Sequence, residues 1–434
     1  MIYQEVHWIR SYGAKLAPSL RKHVLSWYRP ARYSPCFLNK YYTALLQKLR
    51  KIPVIVQLDH SSFTTLSFKT LSDETGCTIQ KDLSLLDAFA TKVNMNTLRA
   101  LAENKDVIKI WYDEEVRAIL DTASPTVQSE PVWNQEITGK DVTIAIIDTG
   151  VYLHPELTGR IIGFKDFVND KAQPYDDNGH GTHVAGCAAA NGRQSSGKYK
   201  APAPKANIVG IKVLSKTGAG SLSAVIQGVQ WCIENQAHYK IRILNLSLGS
   251  ESFQSYRDDP VCMAVEKAWD AGLIVCVAAG NSGPETRTVN SPGNHPKIIT
   301  VGALDDVNTI NSNDDKIANF SSRGPTADNV VKPDVVAPGV NIVSLRSPGS
   351  FIDKQNKSAR VASDYISLSG TSMATPVCAG VVALLLEKDP MLTPARTKTL
   401  LCETAGLLPA YGENDQGAGL INVQQAMEKL STNE

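Results

Sequence analysis

The chain has 434 residues, more than one average domain holds, and its 43 % apolar and 20 % charged residues fit a packed soluble protein rather than a disordered one. A net charge of +1 argues for no particular acidic or basic partner, and no nucleic acid is expected. That balance hides an asymmetry: residues 1–52 carry ten Lys and Arg against one acid, Glu5, so the rest shares a net −8.

Eight cysteines (Cys36, Cys77, Cys187, Cys232, Cys262, Cys276, Cys378 and Cys402) form no CxxC pair and have no His cluster beside them. Most sit in apolar runs, as Cys276 does in Leu273-Ile-Val-Cys-Val277, which reads as buried free thiols in a reducing compartment. Met1 to Leu20 contains Glu5, His7, Arg10 and Lys15 and lacks the apolar segment of a secretory signal, and no run of 18 apolar residues occurs. The expectation is a cytoplasmic protein with no membrane association.

Residues 1–52 read as a basic extension, a solvated arm or, as the alternative, a contact for an acidic surface or nucleic acid, with helical patterns near 14–27 and 37–51 split by Pro30 and Pro35. Residues 53–120 read as a compact α+β module. The spacing predicts a strand at Pro53–Leu58, a helix at Thr64–Thr75 closed by Gly76, two strands within 77–93, a helix at Met95–Asn104 and a strand at Val107–Ala118. That order, β-α-β-β-α-β, is a ferredoxin-like split unit. Residues 121–434 alternate differently. Apolar strands are expected at Val142–Ile147, Ile208–Leu214, Ile241–Leu246, Leu273–Ala278 and Ile298–Val301, with helices at 181–191, 220–236, 258–271 and 372–388. Continuous apolar strands separated by helices predict an α/β fold, a parallel sheet with helices on both faces. Ligands of such sheets bind at the carboxyl ends of the strands.

Four residues of chemical interest fall there. Asp148 ends the first strand of this section, where a carboxylate is costly unless paired, though it also reads as a cap. His180 follows in Asn178-Gly-His-Gly-Thr-His183, with glycines on both sides that permit close approach; a helix start favours its neutral ring, and spacing alone does not choose between His180 and His183. Ser372, in Ser369-Gly-Thr-Ser-Met-Ala-Thr-Pro376, opens a helix, as an N-cap or as an exposed nucleophile near helix amides. Asn281, in Ala278-Ala-Gly-Asn-Ser-Gly-Pro284, reads as a turn residue or as an amide donor to an oxyanion. Each has a plain structural reading when taken singly.

Taken together, in this order, the motifs resemble the Asp, His and Ser boxes of the subtilisin family of serine peptidases from about Ile137 to Val423. With Phe320-Ser-Ser-Arg-Gly-Pro325 and Pro333-Asp-Val-Val-Ala-Pro-Gly339, the chain most resembles the intracellular AprX-type members from bacilli. The resemblance implies a serine endopeptidase acting on polypeptides, with Asp148, His180 and Ser372 as triad, Asn281 in the oxyanion hole and His183 as a buried structural residue. It implies substrate contacts from Gly218, Gly220, Leu222, Ser247, Leu248, Gly249, Ala278, Ala279 and Gly280, with Asn290 near the pocket floor and an apolar fourth subsite at Leu222. A catalytically silent peptide-binding module is the alternative. The position of the 53–120 module resembles an inhibitory propeptide, which implies an own-propeptide partner and autocleavage between Leu120 and Asp121 in a 121–434 peptidase domain. No cofactor is expected for the chemistry. Ca²⁺ is a structural candidate: residues 192–200, where relatives bind it, offer no carboxylate, although Glu156 matches a ligand position. The acidic loop of Asp305, Asp306, Asp314 and Asp315 suits Ca²⁺ or is a solvated turn.

Overall fold

The computed structural model describes residues 2–27, 51–59, 71, 73–83, 87–112, 123–251, 255–310 and 313–432. The chain divides into two compact units, Met1–Arg117 and Ala118–Glu434.

The first unit contains helices α1 (Ile2–Ser11) and α2 (Pro18–Trp27), strands β1 (Ile52–Leu58), β2 (Lys81–Leu83) and β3 (Ala88–Val93), helix α3 (Met95–Glu103) and strand β4 (Val107–Tyr112). The strands form an antiparallel sheet in the order β2-β3-β1-β4, the order of a split βαββαβ unit. β1 alternates buried and half-buried residues, so Ile52, Val54, Val56 and Leu58 enter the core. Asn94 caps α3 by accepting from Thr97 N at 2.9 Å, and Met95, Leu98, Leu101 and Ala102 line its buried stripe. Residues 71 and 73–75 are helical, and the rest of the helix expected at 64–75 lies outside the described residues. So do the continuation of β4 toward 118, the bond between Leu120 and Asp121, and most of the helix expected at 37–51.

Residues 2–27 are not a solvated arm. Ile9, Leu16, Leu20 and Val24 are each at most 1 % exposed and share one core with the strands of this unit. The basic count obscured a sparse apolar stripe: Arg10 is exposed while Ile9 beside it is buried.

The second unit runs β5 (Thr143–Asp148), β6 (Ile161–Asp166), α4 (His180–Ala189), β7 (Asn207–Lys212), α5 (Leu222–Glu234), β8 (Ile241–Leu246), α6 (Pro260–Asp270), β9 (Ile274–Ala278), β10 (Ile299–Asp305), β11 (Lys316–Ile317), β12 (Val335–Pro338), β13 (Ile342–Leu345), β14 (Arg360–Val361), β15 (Tyr365–Leu368) and α7 (Thr371–Lys388). The main sheet is parallel in the order β6-β7-β5-β8-β9-β10-β12, with the two residues of β11 antiparallel to the end of β10. Every residue of β5 and β9 is buried, which a sheet covered on both faces requires. α4 packs with α7, and α5 with α6. Local chemistry sets the helix starts: Ser221 accepts from Ala224 N at 3.2 Å, and Asp259 accepts from Val261 N at 2.8 Å ahead of Pro260.

α7 is the core helix, buried at all positions except Ser372, Glu387 and Lys388. Burial of each of Leu384, Leu385 and Leu386 contributes roughly 1.5–3 kcal/mol. Pro376 lies inside the helix, past its first turn; its missing N–H leaves the Ser372 carbonyl without an i+4 donor, and Ser247 Oγ donates to that carbonyl at 2.9 Å instead. α7 is long and apolar enough to cross a membrane, but 83 % of it is buried in protein, as in a soluble core helix.

Candidate active site

β5 ends on Asp148, which is fully buried and accepts from Thr149 N at 2.7 Å. α4 begins at His180, whose Nδ1 lies 2.8 and 3.0 Å from the two oxygens of Asp148. A carboxylate only accepts, so Nδ1 carries the proton and Nε2 presents its lone pair. The approach needs Gly181, because a Cβ there would sit 2.1 Å from the Gly150 carbonyl oxygen. Burial opposes the imidazolium, but the Asp148 charge and hydrogen bond, helped by Asp176, outweigh it and raise the pKa of His180 above the ordinary value. The expectation that the helix start would favour the neutral ring is thus overridden by the nearer carboxylate.

Sequence reasoning missed Asp176, buried four residues before His180. Its Oδ1 accepts from Thr149 Oγ1 (2.9 Å), Asn178 N (3.1 Å) and Gly179 N (2.8 Å), and its Oδ2 from Thr182 N (2.8 Å) and Oγ1 (2.6 Å). It locks the turn that delivers His180. Its signal, an acid shortly before a glycine-led helix start, is too common to single out. Asn178 adds a second brace, accepting from His180 N at 3.1 Å and donating to the Lys216 carbonyl at 2.8 Å. His183 is wholly buried and donates from Nε2 to the carbonyls of Ile342 (2.9 Å) and Ile366 (3.1 Å). Burial, with the charge of His180, pushes its pKa down to about 3, so it stays neutral.

Ser372 is the second residue of α7 and partly exposed. Its hydroxyl donates to the Ser247 carbonyl at 3.2 Å, while Ser247 Oγ donates back to the Ser372 carbonyl at 2.9 Å. Asn281 follows β9. Its Oδ1 accepts from Thr371 N (2.9 Å) and Thr371 Oγ1 (3.0 Å), which fixes the amide plane and leaves Nδ2 as a donor.

A cleft of about 500 Å³ runs past His180. Gly218, Gly220, Leu222, Ser247, Leu248 and Gly249 line it as expected, and so do Asn178, Leu214, Phe351 and Ile352, which were not anticipated. Leu222 is 50 % exposed. Ala278, Ala279, Gly280 and Asn290 do not line this cleft. Asn290 packs against Gly249, where a Cβ would meet its Cβ at 3.3 Å; its N donates to the Ala279 carbonyl at 2.9 Å, and a Cβ on Gly280 would meet its Cγ at 2.7 Å.

Glu156 is fully buried, and its oxygens accept from Gly192 N (2.9 Å), Gln194 N (2.8 Å) and the Tyr365 hydroxyl. Two N–H groups and one hydroxyl already use three of the roughly four acceptor sites of this carboxylate, which leaves little of it for a Ca²⁺.

Residues 139–424 match the Subtilase family, and the chain belongs to that family. It is a serine-type endopeptidase of the subtilisin kind, a class that needs no cofactor for its chemistry. The chain is 46 % identical to serine protease AprX of Bacillus subtilis (strain 168), across 98 % of this chain and 99 % of that one. It is 33 % identical to subtilisin E of the same organism, across 85 % and 88 %, and 33 % identical to the thermostable alkaline protease of Halalkalibacterium halodurans, across 76 % and 83 %. Among solved structures it is similar to a cold adapted subtilisin-like serine proteinase, with a TM-score of 0.50 and 35 % identity over 66 % of this chain and 88 % of that one.

Proposed function

We propose that Asp148, His180 and Ser372 hydrolyse peptide bonds through an acyl-enzyme on Ser372. The observation that carries this reading is the 2.8 Å pairing of His180 Nδ1 with Asp148 at the edge of the cleft, which aims the opposite ring nitrogen outward. Ser372 Oγ turns from the Ser247 carbonyl toward His180, transfers its proton to Nε2 and attacks the substrate carbonyl carbon. Asp148 holds the tautomer and stabilises the imidazolium. Asn281 Nδ2 and Ser372 N bind the oxyanion. The imidazolium then protonates the leaving amine, and water, deprotonated by the same ring, releases the acid. Substrate lies extended between 218–222 and 247–249, with main-chain pairing for affinity.

The second reading, a silent peptide-binding module, draws on one feature: among the described residues no hydrogen bond joins Ser372 to His180. A fluorophosphonate decides between them. On propeptide-free protein the adduct forms on Ser372, and its rate rises with pH with a midpoint above about 6.5, because a raised pKa keeps the base protonated into higher pH. No adduct on folded, processed protein establishes the silent module, and a midpoint below 6 contradicts the Asp148–His180 assignment.

The protein is made as a zymogen in this reading, with the 53–120 module as its own inhibitory partner, removed by cleavage between Leu120 and Asp121. Its location is cytoplasmic. No disulfide joins the seven described cysteines, and six of them are buried, as a reducing compartment allows. For structural Ca²⁺, the acidic loop fits better than Glu156. Asp315 is 8 % exposed with neither carboxylate oxygen hydrogen-bonded, and burial with the charges of Asp306, Asp314 and Asp305 raises its pKa to about 7. Among the described residues no three His, Cys, Asp or Glu side chains form a ready-made cage, so carbonyl oxygens complete the set. Chelator lowers Tm of the parent and leaves Asp315→Asn unchanged; equal Tm for the parent with and without chelator removes the ion.

A further inference from the structure

The cleft contains no Asp, Glu, Lys or Arg among the described residues that line it. Beside His180 its wall is built from two partly exposed apolar side chains, Phe351 and Ile352, contributed from far along the chain. Their segment is tied to the turn that leads into α4. Phe351 N donates to the Asp177 carbonyl at 2.9 Å, Ile352 N to the Asn178 carbonyl at 2.8 Å, and Ser347 Oγ to the Asp176 carbonyl at 2.7 Å. Gly179 makes room for it, since a Cβ there would lie 2.6 Å from Ser350 Oγ.

The segment is also braced internally. Asp353, 3 % exposed, pairs with Arg346 (2.7 Å) and Arg360 (2.6 Å) and accepts from Gly349 N at 2.8 Å. An apolar wall held this firmly in an uncharged cleft discriminates between side chains at little ordering cost on binding.

We propose that Phe351 and Ile352 are specificity-determining residues. They form an apolar subsite for the substrate side chain that passes His180, favouring residues of Leu, Met or Phe size over Gly, Ser or any charged residue. The proposal rests on the reading of Asp148, His180 and Ser372 as the reacting centre, which brings substrate past this wall.

The test uses processed protein and peptides in which one position at a time, from four residues before the cut to two after it, is either Ala or Leu. Fluorophosphonate titration counts competent Ser372 in every preparation. The parent prefers Leu at one of these positions. Phe351→Ala reduces that Leu-to-Ala ratio of kcat/KM about tenfold at that position only, and Phe351→Leu retains it. Ile352→Ala repeats the measurement if Phe351→Ala does not fold. An unchanged ratio at every position overturns the proposal. So does an equal loss for Ala and Leu peptides, which would make the segment a brace for the His180 turn and nothing more. Failure of the parent to take the phosphonate overturns the reading of the centre and the proposal with it.

Discussion

With asparagine in place of Asp148, kcat at neutral pH falls by about 10⁴-fold while KM stays near that of the parent. The replacement has almost the same shape, and its carbonyl oxygen can still accept from Thr149 N, now at 2.7 Å. What changes is the partner of His180 Nδ1. With the carbonyl oxygen kept by Thr149 N, the amide NH₂ takes the place of Oδ2, 3.0 Å from Nδ1; its donation to that nitrogen favours the tautomer with the proton on Nε2, where a base needs its lone pair. No unpaired charge is left in the interior, because the carboxylate is what is removed. Tm therefore shifts little, and the loss is chemical. Steady-state kinetics with a circular-dichroism melt check this, and a folded variant that loses less than tenfold would falsify the role given to Asp148.

Ser372→Ala has the larger effect and two separate readouts. Turnover falls by roughly 10⁶-fold, a magnitude carried over from subtilisin itself when its nucleophile is removed. The hydroxyl gives up only a long hydrogen bond, 3.2 Å to the Ser247 carbonyl, so the fold is preserved. The second readout is the chain itself. Purified parent protein loses its first 120 residues, while the variant remains at 434 residues by intact mass. A variant cut at the same bond would show that another protease performs the processing and would leave the turnover result standing. A parent that stays whole yet digests peptide would make the 53–120 module a permanent attachment.

Much of the peptidase unit is readable before any coordinates. A strand buried on both faces must be an uninterrupted apolar run, which is why β5, β8 and β9 lie within a residue of their expected limits. β6 escapes because it lies at the sheet edge, where Ile161 to Asp166 are mostly half-buried and the run is broken by Gly163 and Lys165. Helix starts shift by one or two residues to wherever a capping side chain is available, as at Ser221 and Asp259. Asp148, His180, Ser372 and Asn281 can be picked out because each sits in a dense local motif. Asp176 and the Phe351–Ile352 wall cannot, because their roles arise from contacts such as Ser347 with Asp176, 171 residues apart. The arm at 2–27 misleads for a different reason: counting charge says nothing of which face a sparse apolar stripe occupies.

A protease is its own nearest substrate, and α7 bears on how such a molecule survives itself. The nucleophile stands at the head of the longest described helix of the unit, buried at all but three positions, so local fraying does not release that end while the core holds. Nicks in exposed surface loops leave Ser372 seated. Backbone amides of α7 open to solvent only when the whole unit opens, and the working serine is lost at the same moment. Self-digestion at this centre is therefore governed by the rate of global unfolding, and any change that slows that step lengthens the life of the enzyme in its own company.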